Sequence, residues 1–456
     1  MCIIPSYYLL FNSFVGTIST SMDAKLTSII RKHFKNTYII KIFKPGSSVV
    51  PVSGKVFDEN EMLSGVEAVL DGWWTEGRFA EQFERKFRDY LGVKYVSLVN
   101  SGSSANLVAL SALTSTVFGE RSLKPGDEVI TVATGFPTTV NPILQNGLVP
   151  VFIDNDLGTK NASIRNIQKA ITKKTKAIMM AHTLGNPMPL DGIMNLVTKH
   201  RLWFIEDCCD ALGSTYNKKL VSTFGHVATF SFYPAHQITM GEGGAVVTSN
   251  PLIHKAVRQF RDWGRDCWCD TGKDNTCGKR FLWKLGDLPQ GYDHKFIYSQ
   301  IGYNLKLTDM QAAIGLAQLD KLPKFIRARK ANYRALLHGL SKYEKYFRFT
   351  DVEKPADPCW FGFPVVIRDG APFSRLDLVT FLEDHKIGTR NLFAGNLIKH
   401  PAYLNRKDIR VVGSLANSDK IMNDGFWIGV YPGITKAMLR YILAVFDSFF
   451  LRFQPL

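Results

Sequence analysis

From about residue 90 the chain alternates short apolar runs with stretches whose apolar positions recur every three or four residues. The runs VKYVSLV (93–99), EVITVA (128–133), VPVFID (149–154), AIMMAHT (177–183), LWFIED (202–207), VATFSFY (227–233) and GAVVTS (244–249) are predicted as buried strands. Between them, 104–114 and 163–172 read as amphipathic helices. Such alternation predicts an α/β protein built of parallel βαβ units, with helices on both faces of the sheet. The pattern then breaks. Residues 255–310 lack periodicity and are rich in Asp, Gly, Lys, Trp and Cys. An irregular insertion of this length is usually functional. Residues 309–340 read as a long helix interrupted near Pro323, and 341–456 as a smaller α+β unit with a strand at 362–367 and helices at 374–385 and 436–450. The expected division is an arm (1–56), a large domain (57–320) with the insertion at about 255–305, and a small C-terminal domain (321–456).

The first 20 residues are apolar but have no basic start, and Pro5, Asn12 and Ser13 interrupt them. They read as an extension, with Met22 as an alternative start, or as a weak targeting segment. No stretch approaches the length of clean apolar sequence that a membrane span needs, so no membrane association is expected. Residues 23–56 hold seven basic side chains (Lys25, Arg31, Lys32, Lys35, Lys41, Lys44, Lys55) against one acid, Asp23. They predict a basic arm with a helical start, and 44–55 an extended loop. The whole chain of 456 residues has 56 Lys and Arg against 40 Asp and Glu, a net charge of +16. That balance favours anionic partners without choosing among them. Five of the seven cysteines fall between 208 and 277. An odd, clustered set is a poor disulfide framework and asks for another chemical explanation.

Three motifs bear chemistry. NSGSSAN (100–106) follows a strand and opens a helix; its Gly102, Ser103 and Ser104 would cradle a phosphate at the helix N-terminus, or simply cap the helix. IEDCCDALGS (205–214) sets Glu206 and Asp207 at the carboxyl end of a strand, where open α/β sheets bind ligands. A carboxylate there pairs with a protonated ring nitrogen, or caps a helix. FSFYPAHQITMGEGGAVVTSN (230–250) puts His236 on a polar loop between a strand and a Gly-rich turn.

In this order and spacing the motifs resemble the sugar aminotransferases of fold-type I pyridoxal-phosphate enzymes, the DegT/DnrJ/EryC1/StrS group. DGWWTEGRF (71–79), PTTVNP (137–142), AHTLGN (181–186), FRDWGRDC (260–267), GYDHKF (291–296) and GYNLKLTDMQAA (302–313) extend the likeness along the chain. The resemblance implies a mostly parallel seven-stranded sheet flanked by helices. It also implies a cofactor site in which Phe136 stacks on the pyridine ring, Asp207 pairs with its nitrogen, Gly102, Ser103, Ser104 and Ser231 bind its phosphate, and Asn304 reaches the phosphate of a neighbouring subunit in a homodimer. The family's last motif ends in a lysine that holds pyridoxal phosphate; here that residue is His236. Histidine forms no imine but moves protons near neutral pH. The departure implies a non-covalent pyridoxamine 5′-phosphate enzyme, with His236 as base and Asp210 and Tyr233 beside the ring. Cys209, Cys267, Cys269 and Cys277, spaced C-x57-C-x-C-x7-C, resemble the 2Fe-2S ligands of the CDP-6-deoxy-L-threo-D-glycero-4-hexulose 3-dehydrase branch. A four-thiolate zinc site is the competing metal reading. Four of the seven cysteines as cluster ligands would fit a reducing, cytoplasmic setting.

That branch implies loss of the C-3 hydroxyl from a nucleotide-linked 4-keto-6-deoxyhexose, CDP-4-keto-6-deoxyglucose being the expected substrate. Electrons would come from a separate flavin and iron–sulfur reductase. The rivals are an aminotransferase of the same fold, a cluster-free lysine-less dehydratase, and a nucleic-acid-binding regulator. The sequence has no helix-turn-helix, zinc knuckle or base-stacking pattern for the last. His182, after a strand in AHTLGN, reads as structural or as a further site residue.

Overall fold

The computed structural model describes residues 22–38, 42–269 and 271–453. The apolar segment 1–20, Cys2 and Lys41 lie outside the described residues. All seven expected strands are present: β1 (Tyr95–Val99), β2 (Glu128–Val132), β3 (Val149–Ile153), β4 (Thr175–Ala181), β5 (Trp203–Asp207), β6 (Val227–Ser231) and β7 (Gly244–Thr248). An eighth, β8 (Arg410–Val411), joins the edge from far along the chain, so the order is β1-β7-β6-β5-β4-β2-β3-β8. β7 runs antiparallel to both neighbours, and the strands from β6 to β8 are mutually parallel. The β6–β7 loop turns back directly, whereas the connections between parallel strands, by helix or by the hairpin that follows β5, cross over and return the chain in the same direction.

Alternate residues of these strands enter different cores, as a sheet covered on both faces requires. Ile130, Val132, Ile178, Met180 and Phe204 meet Phe83 and Phe87 on one side. Val129, Ala177, Met179, Trp203 and Ile205 meet Ala105, Val108 and Ala109 on the other. The helix Arg78–Leu91 buries Phe79, Phe83, Phe87 and Leu91, one stripe at helical spacing.

The expected long helix is two, Asp309–Leu319 and Leu322–Leu340, with Pro323 in the first turn of the second. There its missing N–H costs nothing. The reading of 255–310 as wholly irregular is corrected at its start. Pro251–Arg261 is a helix capped by the Asn250 side chain, with Ile253, Ala256, Val257 and Phe260 buried. Among the described residues from 262 to 308 the one regular element is a short 3-10 turn, His294–Phe296.

The small antiparallel sheet orders Phe347–Arg348, Gly362–Ile367, Gly425–Gly429 and Thr389–Arg390. Phe347, Phe363, Phe446, Phe449 and Phe450 fill its core. The expected helical start of the arm is Ala24–Thr37. Its extended end is strapped to the small sheet: Val50 N–H donates to Lys386 O at 2.7 Å, and Gly388 N–H to Val50 O at 2.9 Å. Among the described residues no helix is long and apolar enough to cross a membrane.

Candidate active site

The carboxyl ends of β4, β5 and β6, the loop after β2 and the small sheet enclose a cavity of about 440 Å³. Nine predicted residues line it: Gly102, Ser103, Phe136, Asp207, Cys209, Asp210, Ser231, Tyr233 and His236.

Asp207 ends β5 and is buried. Its Oδ2 accepts from Asn106 Nδ2 at 2.8 Å and Thr139 Oγ1 at 2.7 Å, and its Oδ1 from Cys209 N–H at 3.0 Å. Thr229 Oγ1 donates to Asn106 Oδ1 at 2.6 Å, fixing the amide that holds the acid. These donors satisfy both oxygens of a buried carboxyl and fix its orientation. Sequence reasoning named Asp207 but neither of its side-chain partners; NSGSSAN and PTTVNP contained both.

Ser101 caps the helix Gly102–Ala112 through its hydroxyl, which accepts from Ser104 N–H at 3.1 Å. Ser101 Oγ also donates to Ser104 Oγ at 3.0 Å. Ser104 therefore belongs to the cap and does not line the cavity, whereas Gly102 and Ser103 do. A Cβ on Gly102 would stand 2.4 Å from Ser231 Cβ, so only glycine lets the helix N-terminus and the end of β6 meet. Gly244, on β7, is fixed likewise, its Cβ position lying 2.3 Å from Ser101 O. The cradle so formed, with hydroxyls at a helix N-terminus, suits a phosphate.

His236 lies beside Asp210, Nδ1 to Oδ1 3.5 Å. Neither His236 Nδ1 nor Asp210 Oδ2 has another partner. Burial raises the Asp210 carboxyl, and His236 opposes the rise. The loop is held from behind by Arg329, fully buried in the helix Leu322–Leu340. Its Nη2 donates to His236 O at 2.8 Å and Ala235 O at 3.2 Å, its Nη1 to Trp360 O and Phe361 O, both at 3.2 Å. Burial pulls this guanidinium down to about 10. The Phe361 ring stands 5.2 Å from that of His236. Phe361, Arg390, Asn391, Phe393 and Trp427 form the wall on the side of the small sheet. Sequence reasoning missed all five, because their contact with the motifs spans more than 120 residues.

His182 is structural. Its Nδ1 accepts from Met188 N–H at 3.1 Å, so the proton sits on Nε2, which faces Glu206 Oε2 at 3.2 Å. Glu206 in turn accepts from Ser222 and Phe224 N–H, tying down the loop before β6.

The four thiols divide. Cys267, Cys269 and Cys277 line a small pocket with Arg280, His294 and Lys295, while Cys209 faces the cofactor cavity. His294 is buried; its Nε2 meets Asp266 at 2.9 Å and its Nδ1 has no partner. Burial raises the Cys269 thiol, but hydrogen bonds from Thr276, the Cys277 backbone and Cys267 outweigh it and bring it to about 7. Burial pushes Cys267 up, and pushes Cys209 well up beside Asp207. The structure thus brings three of the four together. Cys208 is buried in the core beneath the site. Asn304 is exposed and lies outside the cavity, its Oδ1 accepting from Lys306 Nζ at 3.3 Å.

The chain is 53% identical over 432 residues to the lipopolysaccharide biosynthesis protein RfbH of Salmonella typhimurium, covering 95% of this chain and 99% of that one. It is 51% identical over 408 residues to the dTDP-4-dehydro-2,6-dideoxy-D-glucose 3-dehydratase of Saccharopolyspora spinosa, covering 89% and 88%. A solved GDP-4-keto-6-deoxymannose-3-dehydratase mutant with bound GDP-perosamine superposes with a TM-score of 0.78 at 30% identity, over 87% of this chain and 99% of that one. Residues 57–447 match one family from end to end, and the chain belongs to it: the DegT/DnrJ/EryC1/StrS aminotransferase family.

Proposed function

We propose that this protein is a sugar-nucleotide 3-dehydratase of deoxysugar and lipopolysaccharide biosynthesis, acting with pyridoxamine 5′-phosphate. The observation behind this reading is His236. It stands in the cavity where the family's lysine would be, paired with Asp210, and no lysine lines the wall.

The residues present fit the cofactor. The cradle of Gly102, Ser103 and Ser231 would take its phosphate, Asp207 its ring nitrogen, and Phe136, half-exposed in the cavity, its ring face. When bound, the cofactor would supply an amine for the 4-keto group and an acidified 4′ C–H bond whose electrons expel the C-3 hydroxyl. The chain supplies placement and proton transfer. His236 Nδ1 is turned to Asp210, which leaves Nε2 as the nitrogen that removes the proton at the cofactor 4′ carbon. The 3.5 Å separation would tighten as substrate binds and Asp210 steadies the imidazolium. Tyr233 borders the same space.

The finer reading keeps CDP-4-keto-6-deoxyglucose as substrate, a homodimer completed by Asn304, and a 2Fe-2S cluster fed by a flavin-containing reductase. Cys267, Cys269 and Cys277 would hold the cluster from one side and Cys209 from the cavity wall. A cluster there would supply single electrons. That Cys209 lines the active-site cavity while the other three thiols line a different pocket favours a second reading, a cluster-free dehydratase.

An anaerobic assay decides between them. Full-length protein, pyridoxamine phosphate and a CDP- or dTDP-linked 4-keto-6-deoxyhexose are incubated with and without a reductase, and iron is measured on the same sample. Reductase-dependent formation of a 3-deoxy sugar by iron-bearing protein is the expected result. Turnover without iron selects the second reading. A borohydride-reducible aldimine in the wild type overturns both.

A further inference from the structure

Arg390 ends the edge strand Thr389–Arg390 of the small sheet and faces Trp427 across the ladder. Among the described residues it is the only lysine or arginine in the wall of the active-site cavity. Among the described residues it has no carboxylate partner; its one hydrogen bond runs from Nη1 to the carbonyl of its own neighbour Thr389, at 2.7 Å. The strand beneath it is firmly placed. Trp427 Nε1 donates to Asn391 O at 2.9 Å, and Arg375 Nη1 to Asn391 Oδ1 at 2.8 Å. A fixed backbone thus presents an uncommitted guanidinium to the cavity.

Its place along the wall carries the argument. From His236 the lining passes to Phe361, with ring centroids 5.2 Å apart, then to Trp427, 5.4 Å further, and then to Arg390 as Trp427's cross-strand neighbour. The phosphate cradle of Gly102, Ser103 and Ser231 is separate and adds no side-chain cation. The other charged groups of the wall, Asp207 and Asp210, are acids. An anionic substrate that enters this cavity meets one compensating charge, on the small-domain side.

We propose that Arg390 is the diphosphate-recognition residue for the sugar nucleotide. The reacting carbons then lie at His236, the hexose along Phe361 and Trp427, and the phosphates on the guanidinium. Arginine suits this task because its planar fork donates two parallel hydrogen bonds to phosphate oxygens. The inference rests on the sugar-nucleotide reading above and adds the residue that recognises the charge.

Calorimetric titration of full-length protein, loaded with pyridoxamine phosphate, with CDP and with dTDP tests it. Arg390→Ala and Arg390→Gln should weaken nucleotide binding about tenfold or more, as expected for a lost charge-assisted hydrogen bond. Arg390→Lys should recover part of it. The bound-cofactor absorbance should not move, because Arg390 is outside the cradle. Lys176→Ala, the same charge change near the amino end of β4, should bind as the wild type does. Wild-type affinity in Arg390→Ala, or an equal loss in Lys176→Ala, overturns the assignment. If the wild type itself binds neither nucleotide, the sugar-nucleotide reading falls, and this inference falls with it.

Discussion

At the scale of the residue, the site depends on atoms that have no slack. Replacing Gly102 by alanine would drive its Cβ into Ser231, so Gly102→Ala should lose most of its affinity for pyridoxamine phosphate, read as bound cofactor after gel filtration. His236→Asn should keep the cofactor and lose turnover by ~10²–10⁴-fold, the usual worth of a positioned base. A slower test concerns Glu84. Burial, with Glu76 beside it, raises its carboxyl to about 7 from an ordinary 4.5. Folding then favours the protonated form. The stability this group contributes is full below pH 4.5 and is lost as pH rises through 7. Glu84→Gln still accepts from Leu98 N–H, so it should gain on the wild type between pH 5 and pH 8 by on the order of 1 kcal/mol, measured by urea unfolding at both. Among the thiols of the metal-free protein, Cys269 should be alkylated ahead of Cys267 at neutral pH, read by peptide mass spectrometry.

At the scale of the element, the sequence announced what repeats and concealed what is short or distant. Seven strands were legible because each is a buried run bounded by turn residues. β8 was not, since two residues, Arg410 and Val411, have no period. The helix Pro251–Arg261 was hidden by its three arginine and lysine side chains, though Asn250 and Pro251 mark its start. Ser104 illustrates a different limit. A cap and a phosphate cradle use the same residues at the same place, and only the Ser101 hydrogen bonds separate them. Phe136, Ser231 and His236 were found through the motifs that carry the family resemblance, and Asp207 also through its place at a strand end. Arg390 and Trp427 come from another sheet, and nothing local in GTRNLF or FWIGV says which cavity they will face.

At the scale of the whole molecule, the excess positive charge and the insertion suggest surfaces that are covered in use. Phe296, Tyr298 and Ile301 are exposed together in the segment leading to Asn304, and Ile301 is 95% accessible. A cluster of exposed apolar side chains of this kind suits the subunit interface of the proposed homodimer. Ile301→Lys should shift the protein toward monomer in sedimentation velocity. If the homodimer is completed by Asn304, the monomer should also bind pyridoxamine phosphate more weakly.

Arg329 has a consequence for how such an enzyme works. Its helix is anchored in the small-domain core through Tyr333, Leu336 and Leu340, yet its guanidinium grips the carbonyls of Ala235 and His236 on the large-domain side. The same helix sends Leu322 and Phe325 into the core of the large sheet, so Arg329 ties the base to both sheets at once. Any rotation of the small domain over an arriving substrate would bear on His236 through this helix, so that closing the cavity and aiming the imidazole are coupled.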